Sequence, residues 1–369
     1  MWPRLSKPIR SVWTFCILYT AYILLVGGDV LEVHRFFIPL VAINAILFIV
    51  AVYRAVQFMP RAAPAMVTCT AVLAFALFSY FSPQDHVQTY LASGRGLNNK
   101  MQFLAERLKA VDNTNFSVAA STIGLFGYEL IGHDLIDLVG LTDTMVSRHP
   151  QPPIPRLESD WREPHYNTPY LLERAPTYII FSTGIKPTAP GEKALLLYDD
   201  FISSYRTIGF SYRPEAGQER GALTGLWRRQ TEPVPPFELT HPPITAELFQ
   251  RGIDAANAGD HQTAIARLDS ARALSPQPVN PYLQYRKALS FLMLNQHHRA
   301  MAVMDSLLLS DSTIFEAHKD LYLYARLLDD TAKAAVHADW IRRLTPWYWP
   351  RAKEIADDEV ARYKAARGN

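Results

Sequence analysis

Cysteine is scarce in this chain: 369 residues carry two, Cys16 and Cys69. Both fall in apolar runs near the N-terminus, so no disulfide framework staples the remainder, and cysteine usage does not fix the redox compartment. Net charge is equally small. Lys+Arg 37 against Asp+Glu 35 leaves +2, and no global field argues for nucleic acid. Gly124 and Gly127 follow a strand-like run, but the full Gly-x-Gly-x-x-Gly spacing of a phosphate cradle is absent, and ordinary turn chemistry explains them. His133, His149 and His165 are too scattered for a metal site, and Ser203-Ser204 has no legible base partner for a nucleophilic triad.

Apolar sequence, by contrast, is concentrated at one end. The mean hydropathy of −0.04 hides a largely apolar first 84 residues and an ordinary globular remainder. Residues 11–28, 36–53 and 62–84 lack Asp, Glu, Lys and Arg. A helix needs roughly 20 apolar residues to cross a bilayer core of ~30 Å, so these runs predict three transmembrane helices in a region 1–84. Arg4, Lys7 and Arg10 precede the first run, and Arg54 and Arg61 lie between the second and third. The loop 29–35 is acidic or balanced, which places the N-terminus in the cytoplasm and everything after the third span outside. A cleaved signal peptide is the poorer reading, since no Ala-x-Ala-like site stands near Gly27-Gly28 and further apolar runs follow.

Residues 85–230 read as a small α/β domain: a helix over 85–111 interrupted around Gly94-Arg95-Gly96, then strands at 116–121, 134–139, 176–182, 201–210 and 223–229. Asp137 and Asp143 flank a strand end, where α/β domains bind ligands; turn capping is the blander role and the favoured one. A Pro-rich connector, 231–244, reads as a semi-rigid domain boundary. From Thr245 a 34-residue unit places Gly252, Ala255, Gly259, Ala264, Leu268, Ala271 and Pro276 where tetratricopeptide (TPR) repeats want small, turning or breaking residues. Two further units carry Ala288, Phe291, Ala300, Met304 and Leu307, then Ala325, Ala334, Ala338 and Pro346. Together these predict an α-helical TPR-like solenoid of three repeats over 245–349, closed by a capping helix over 350–369. Such repeats either take a protein partner or brace the α/β module. His297-His298, at the turn of the second unit, is expected to face solvent or to pack.

Several motifs occur together. Gly27-Gly28-Asp29-Val30 is followed by Arg35-Phe36-Phe37-Ile38-Pro39, then Gly124-Leu125-Phe126-Gly127-Tyr128, the run 136–143, His165-Tyr166-Asn167 and the run 176–180. In order and kind this resembles the C-terminal portion of bacterial membrane glycosyltransferases of the C-type fold, similar to the arabinofuranosyl- and mannosyltransferases that use polyprenyl-phosphate sugars. The resemblance covers about residues 10–230. It implies sugar transfer on the outer face of the bacterial inner membrane, with Asp29 as the catalytic candidate and Gly27, Gly28, Glu32, His34 and Arg35 on the substrate side. A carboxylate there could take a proton from an acceptor hydroxyl or hold a divalent cation, while Arg35 could neutralise a lipid phosphate. The family's first acidic loop and many of its spans have no counterpart here, which favours a supporting role for this cluster over catalysis. The expected partners are a polyprenyl-phosphate sugar lipid, the membrane and a protein on the repeats. The competing expectation is a non-catalytic, membrane-anchored TPR scaffold of the cell envelope, with its soluble parts in the periplasm.

Overall fold

A computed structural model describes residues 7–25, 38–56, 69–70, 72–74, 76–77, 84–157, 159, 161, 163–182, 185–212 and 221–367. It divides into two compact units, Met1–Gly96 and Leu97–Asn369.

In the first unit, α1 (Lys7–Leu25) and α2 (Ile38–Val56) pack through Cys16, Ile23 and Leu40, flanked by Val12, Tyr19, Ile43 and Leu47. The expectation of three membrane-spanning helices is corrected here. Among the described residues one helix, α1, is long and apolar enough to cross a bilayer. In α2 the apolar stretch runs only Ile38–Val52, which at ~1.5 Å per residue falls short of the ~30 Å hydrocarbon core. Most of the run 62–84 lies outside the described residues. A single N-terminal apolar helix is also what a signal sequence or a core helix would show.

The second unit is built on a mixed sheet of five strands: β1 (Ser117–Ala120), β2 (Asp134–Asp137), β3 (Tyr178–Ile180), β4 (Tyr205–Tyr212) and β5 (Gly221–Arg229), in the order β2-β1-β3-β5-β4. Strands β2 and β3 flank β1 in parallel, whereas β5 runs antiparallel to both β3 and β4. Side chains alternate between two apolar layers, as the two-residue strand period requires. Val118, Ala120, Tyr178 and Ile180 face α3 (Gln84–Val111), which supplies Met101, Leu104, Ala105 and Leu108. Helix α4 (Gly124–Glu129) adds Phe126 to that layer.

The opposite face carries Ala119, Ile136, Ile179 and Trp227. It shares a core with α6 (Thr168–Arg174), α7 (Pro190–Leu195) and α8 (Asp199–Ser204), and with three helix pairs. The pairs are α9 (Pro243–Asn257) with α10 (His261–Leu274), α11 (Pro281–Met293) with α12 (His297–Ser310), and α13 (Phe315–Leu327) with α14 (Thr331–Leu344). Each pair turns on a left-handed residue: Gly259 (φ +84°), Asn295 (+57°) and Asp329 (+57°). The next amide in each case reaches back to the carbonyl of Ala255, Phe291 or Ala325. This is helix-end geometry that glycine and the small polar residues accept most cheaply. A Cβ on Gly252 would meet Leu268 Cγ at 2.9 Å, which explains glycine where α9 and α10 cross. Tyr348 of a 3₁₀ turn, Pro346–Tyr348, and Ala352 and Ala356 of the following helix α15 (Trp349–Arg367) cover Phe315, Tyr322, Ala325, Ala338 and Ile341.

Three further expectations change. The helix α3 continues through Gly94 and Gly96, because both stand in open space and need no turn. Residues 201–204 are helical rather than extended, since Asp199 and Asp200 sit in the first turn of α8, where carboxylates favour a helix start. The Pro-rich segment does not divide two bodies. Thr240 and His241 amides both donate to Leu197 O, and Ala246, Phe249 and Ile253 of α9 enter the same core as Leu195 and Phe201. The apolar face of α9 needs cover, and the α/β layer provides it.

Candidate functional site

In sheets with parallel strands, ligands favour the carboxyl ends where the strand order reverses. Here those ends belong to β1 and its two neighbours, and local hydrogen bonding has closed them. Asp137 ends β2 with its side chain turned back on the chain: Oδ1 accepts from Val139 N at 3.0 Å, and Oδ2 from Thr142 N at 2.7 Å. Asp143 caps α5 (Thr144–Arg148), accepting from Met145 N at 2.9 Å and Val146 N at 3.2 Å, and it takes the Tyr170 hydroxyl at 3.3 Å. Burial and the neighbouring Asp143 charge raise the Tyr170 phenol above its usual range. Both carboxylates therefore cap turns. Asn167 caps α6 through Tyr170 N and donates to His149 O at 2.7 Å. The buried Tyr166 hydroxyl accepts from Ile154 N. The space left among Ile136, Val146, Tyr166 and Gly191 is about 10 Å³, room for one water at most.

At the ends of β1 and β3 a single side chain organises the chain. Glu192, fully buried, accepts from Ser121 Oγ (2.8 Å) and Ser182 N (2.7 Å) through Oε1. Its Oε2 accepts from Thr188 N (2.8 Å) and Ala189 N (3.2 Å). Lys100 of α3 donates to Ser182 O at 2.8 Å. Burial lowers its ammonium pKa, and the Glu192 charge works in the opposite direction. A carboxylate so fully supplied with donors is built to hold the segment after β3 in place.

Open space lies elsewhere in the unit. A polar cavity of about 360 Å³ sits between Arg156, Leu157 and Ser159, α7 and α9, where Arg251 pairs with Glu247, and Asp254 with Lys186 at 2.7 Å. A larger cleft, about 890 Å³, opens between the α11–α12 turn, the end of α13, and α15. His297, His298 and Arg299 stand at its edge, and Met301, Tyr324, Leu328 and Tyr363 form its apolar part. The His297 and Tyr324 rings lie 5.6 Å apart.

The residues expected to act on a lipid-linked sugar, Gly27, Gly28, Asp29, Glu32, His34 and Arg35, lie outside the described residues. Among the described residues no cluster of His, Cys, Asp or Glu could hold a metal ion. His133 stacks on Phe116 at 4.0 Å, His149 and His165 are exposed, and Ser203-Ser204 closes α8. His297-His298 is solvent-facing and borders the large cleft. Sequence reasoning missed Glu192, although Pro190 at the first position of α7 and a glutamate at the third form a helix-start signature. It also missed the buried Thr207, Tyr282 and Glu316, which join the sheet to the helix pairs and have no local signature.

Residues 85–230 match a domain of unknown function (DUF8728). No curated protein and no solved structure matches the chain.

Proposed function

We propose that this chain is the C-terminal part or a subunit of an inner-membrane glycosyltransferase that takes sugar from a polyprenyl-phosphate carrier on the outer face of the membrane. The observation that carries the reading is how the motifs of the resemblance assemble. Runs far apart in sequence, at 124–128, 136–143, 165–167 and 176–180, become helix α4, strand β2 with its turn, the α6 cap and strand β3 of one unit. They also touch: Tyr170, whose amide Asn167 caps, reaches Asp143, and a Cβ on Gly191 would lie 3.2 Å from Tyr166 Cβ and 3.3 Å from Leu138 O. Their packing in one unit supports the resemblance, and the activity that the resemblance implies is sugar transfer.

In this reading α1 attaches the chain to the inner membrane with Lys7 and Arg10 at its cytoplasmic end. The segment after α1 then meets the donor headgroup, with Arg35 on the lipid phosphate and Asp29 or Glu32 beside the acceptor hydroxyl. The test is transfer of radiolabelled sugar from a polyprenyl-phosphate donor by the purified full chain in lipid. Asp29→Ala and Arg35→Ala are each expected to abolish transfer with folding intact. Unchanged transfer in both would remove these residues from the site, and no transfer by the wild-type chain would remove the activity from this chain alone.

A second reading, a membrane-tethered interaction protein, is favoured by the solvent-open cleft on the helix pairs. Loss of a bound partner in cleft variants, with no sugar transfer by the wild-type chain, would favour it.

A further inference from the structure

Three cavities compete for a role beyond the proposed transfer. The 360 Å³ cavity beside α9 has its acidic residues already matched by Arg251 and Lys186, so its lining points to no ligand class. A third cavity, about 260 Å³, lies over the Arg206–Asp311 ion pair, which is closed at 2.6 Å and serves the joint between sheet and helix pairs. The 890 Å³ cleft differs from both in that its charge is one-sided.

We propose that this cleft binds an acidic peptide segment of a partner protein, with a bulky apolar side chain of that segment inserted between Tyr324, Leu328 and Tyr363. The cleft has an apolar side and a basic edge. Leu328 is 61% exposed and Tyr363 38%, a cost that a covering side chain would relieve. At the edge stand His297, His298 and Arg299, and among the described residues no carboxylate lines the cleft. The Arg299 guanidinium is already oriented, donating to Gln296 Oε1 at 2.9 Å and lying over the Phe291 ring at 5.9 Å. Nearby acids are matched: Asp329 faces Lys364 at 3.8 Å, and Asp357 pairs with Arg326 at 2.8 Å.

The backbone adds to the same field. In the first and third pairs the second helix is capped by an aspartate, Asp260 on Thr263 N and Asp330 on Lys333 N. In the middle pair the equivalent residue is Gln296, which makes no side-chain cap, so the positive end of α12 faces the cleft without a neutralising carboxylate. A partner carboxylate would supply what Asp260 and Asp330 supply elsewhere. An extended acidic segment fits these features together: its charges meet the α12 end and Arg299, while one apolar residue fills the Tyr324–Leu328 side.

The test uses the full chain in lipid nanodiscs and fluorescence anisotropy with two labelled peptides. One is a short Glu/Ser/Gly peptide with a central Phe-Leu pair, and the other is identical with Lys for Glu. The acidic peptide is expected to bind at least about tenfold more tightly than the basic one at low salt, with the gap narrowing as salt rises. Arg299→Glu is expected to weaken the acidic peptide about tenfold, and Leu328→Ser to weaken both peptides, because one change removes charge and the other apolar cover. Both positions are exposed, so the variants retain the fold, which circular dichroism checks. Equal binding of the two peptides, or wild-type affinity in Arg299→Glu, would overturn the proposal.

Discussion

Replacing Glu316 by Gln should stabilise the protein at alkaline pH and leave it no more stable than wild type at acid pH. Glu316 begins the third helix pair and is 1% exposed at the joint with β4. Its Oε1 takes the Thr207 hydroxyl, whose residue is bound in turn by Tyr282 through Thr207 N at 2.7 Å. Its Oε2 meets no donor among the described residues. The groups facing it are Lys319 and Asp320 on its own helix, Tyr282 and Tyr285 on α11, and Tyr348 beyond, with Arg206 on β4 acting on Tyr282. Lys319 is held by Asp320 at 3.0 Å, and Arg206 by Asp311. Burial therefore dominates and pushes the carboxyl from 4.5 up to about 7.

The folded state thus binds this proton more tightly than the unfolded chain. The stabilisation is complete below about pH 4.5, declines as pH rises, and is gone once pH passes about 7. At ~1.4 kcal/mol per pH unit, the full swing is about 3 kcal/mol. Gln cannot ionise, so it lacks this slope, although its amide leaves a fixed cost of about 1 kcal/mol where Oε2 had no partner. The assay is urea unfolding of the full chain in detergent micelles, followed by the fluorescence of buried tryptophans such as Trp227, from pH 4.5 to 8.5. Groups common to both proteins cancel in the difference, so the stability of Glu316→Gln minus that of wild type should climb by about 3 kcal/mol across the range. A flat difference, or one that falls, would refute the burial argument.

Two further outcomes follow from the geometry. His337 is buried beside His318, with their Nδ1 atoms 2.8 Å apart, and burial with that neighbour lowers it to about 4. Its contribution is present above pH 6.5 and lost as pH falls towards 4, so His337→Asn should flatten the acid limb of the stability curve; an unchanged limb in urea melts would count against it. Gly140→Ala should cost about 1–3 kcal/mol in the same melts, because Gly140 has φ +73° and an added Cβ would stand 2.9 Å from Val146 Cγ1; a neutral effect would mean the turn after β2 yields freely.

Much of the local structure was legible because local rules dictate it. Strands β1, β2 and β3 lie inside stretches rich in β-branched and small apolar residues and bounded by turn formers. The helix pairs could be read from Gly252, Ala264 and Ala271, whose size is set by the neighbouring helix. Asp137 and Asp143 could be placed at turns, where they cap. Length of apolar run was the weak guide. It promoted three runs to membrane spans, whereas among the described residues one helix, Lys7–Leu25, is long and apolar enough to cross a bilayer. Glycine was a second weak guide, since Gly94 and Gly96 cost helix stability without breaking α3, at ~1 kcal/mol each. The joint between sheet and helix pairs was illegible because its partners are remote: Thr207 meets Tyr282 and Glu316 across 75 and 109 residues of sequence. The cleft was hidden for the same reason. His297-His298 stood out as a pair, but Tyr324 and Tyr363 come to it from two other helices.

The reading as a lipid-linked sugar transferase turns on recognition of a polyprenyl phosphate, and native mass spectrometry of the full chain released from nanodiscs measures that directly. Wild type should retain one polyprenyl-phosphate lipid in preference to phosphatidylglycerol, and Arg35→Ala should lose that preference while keeping its fold. Equal retention of the two lipids by wild type, or undiminished preference in Arg35→Ala, would contradict the account.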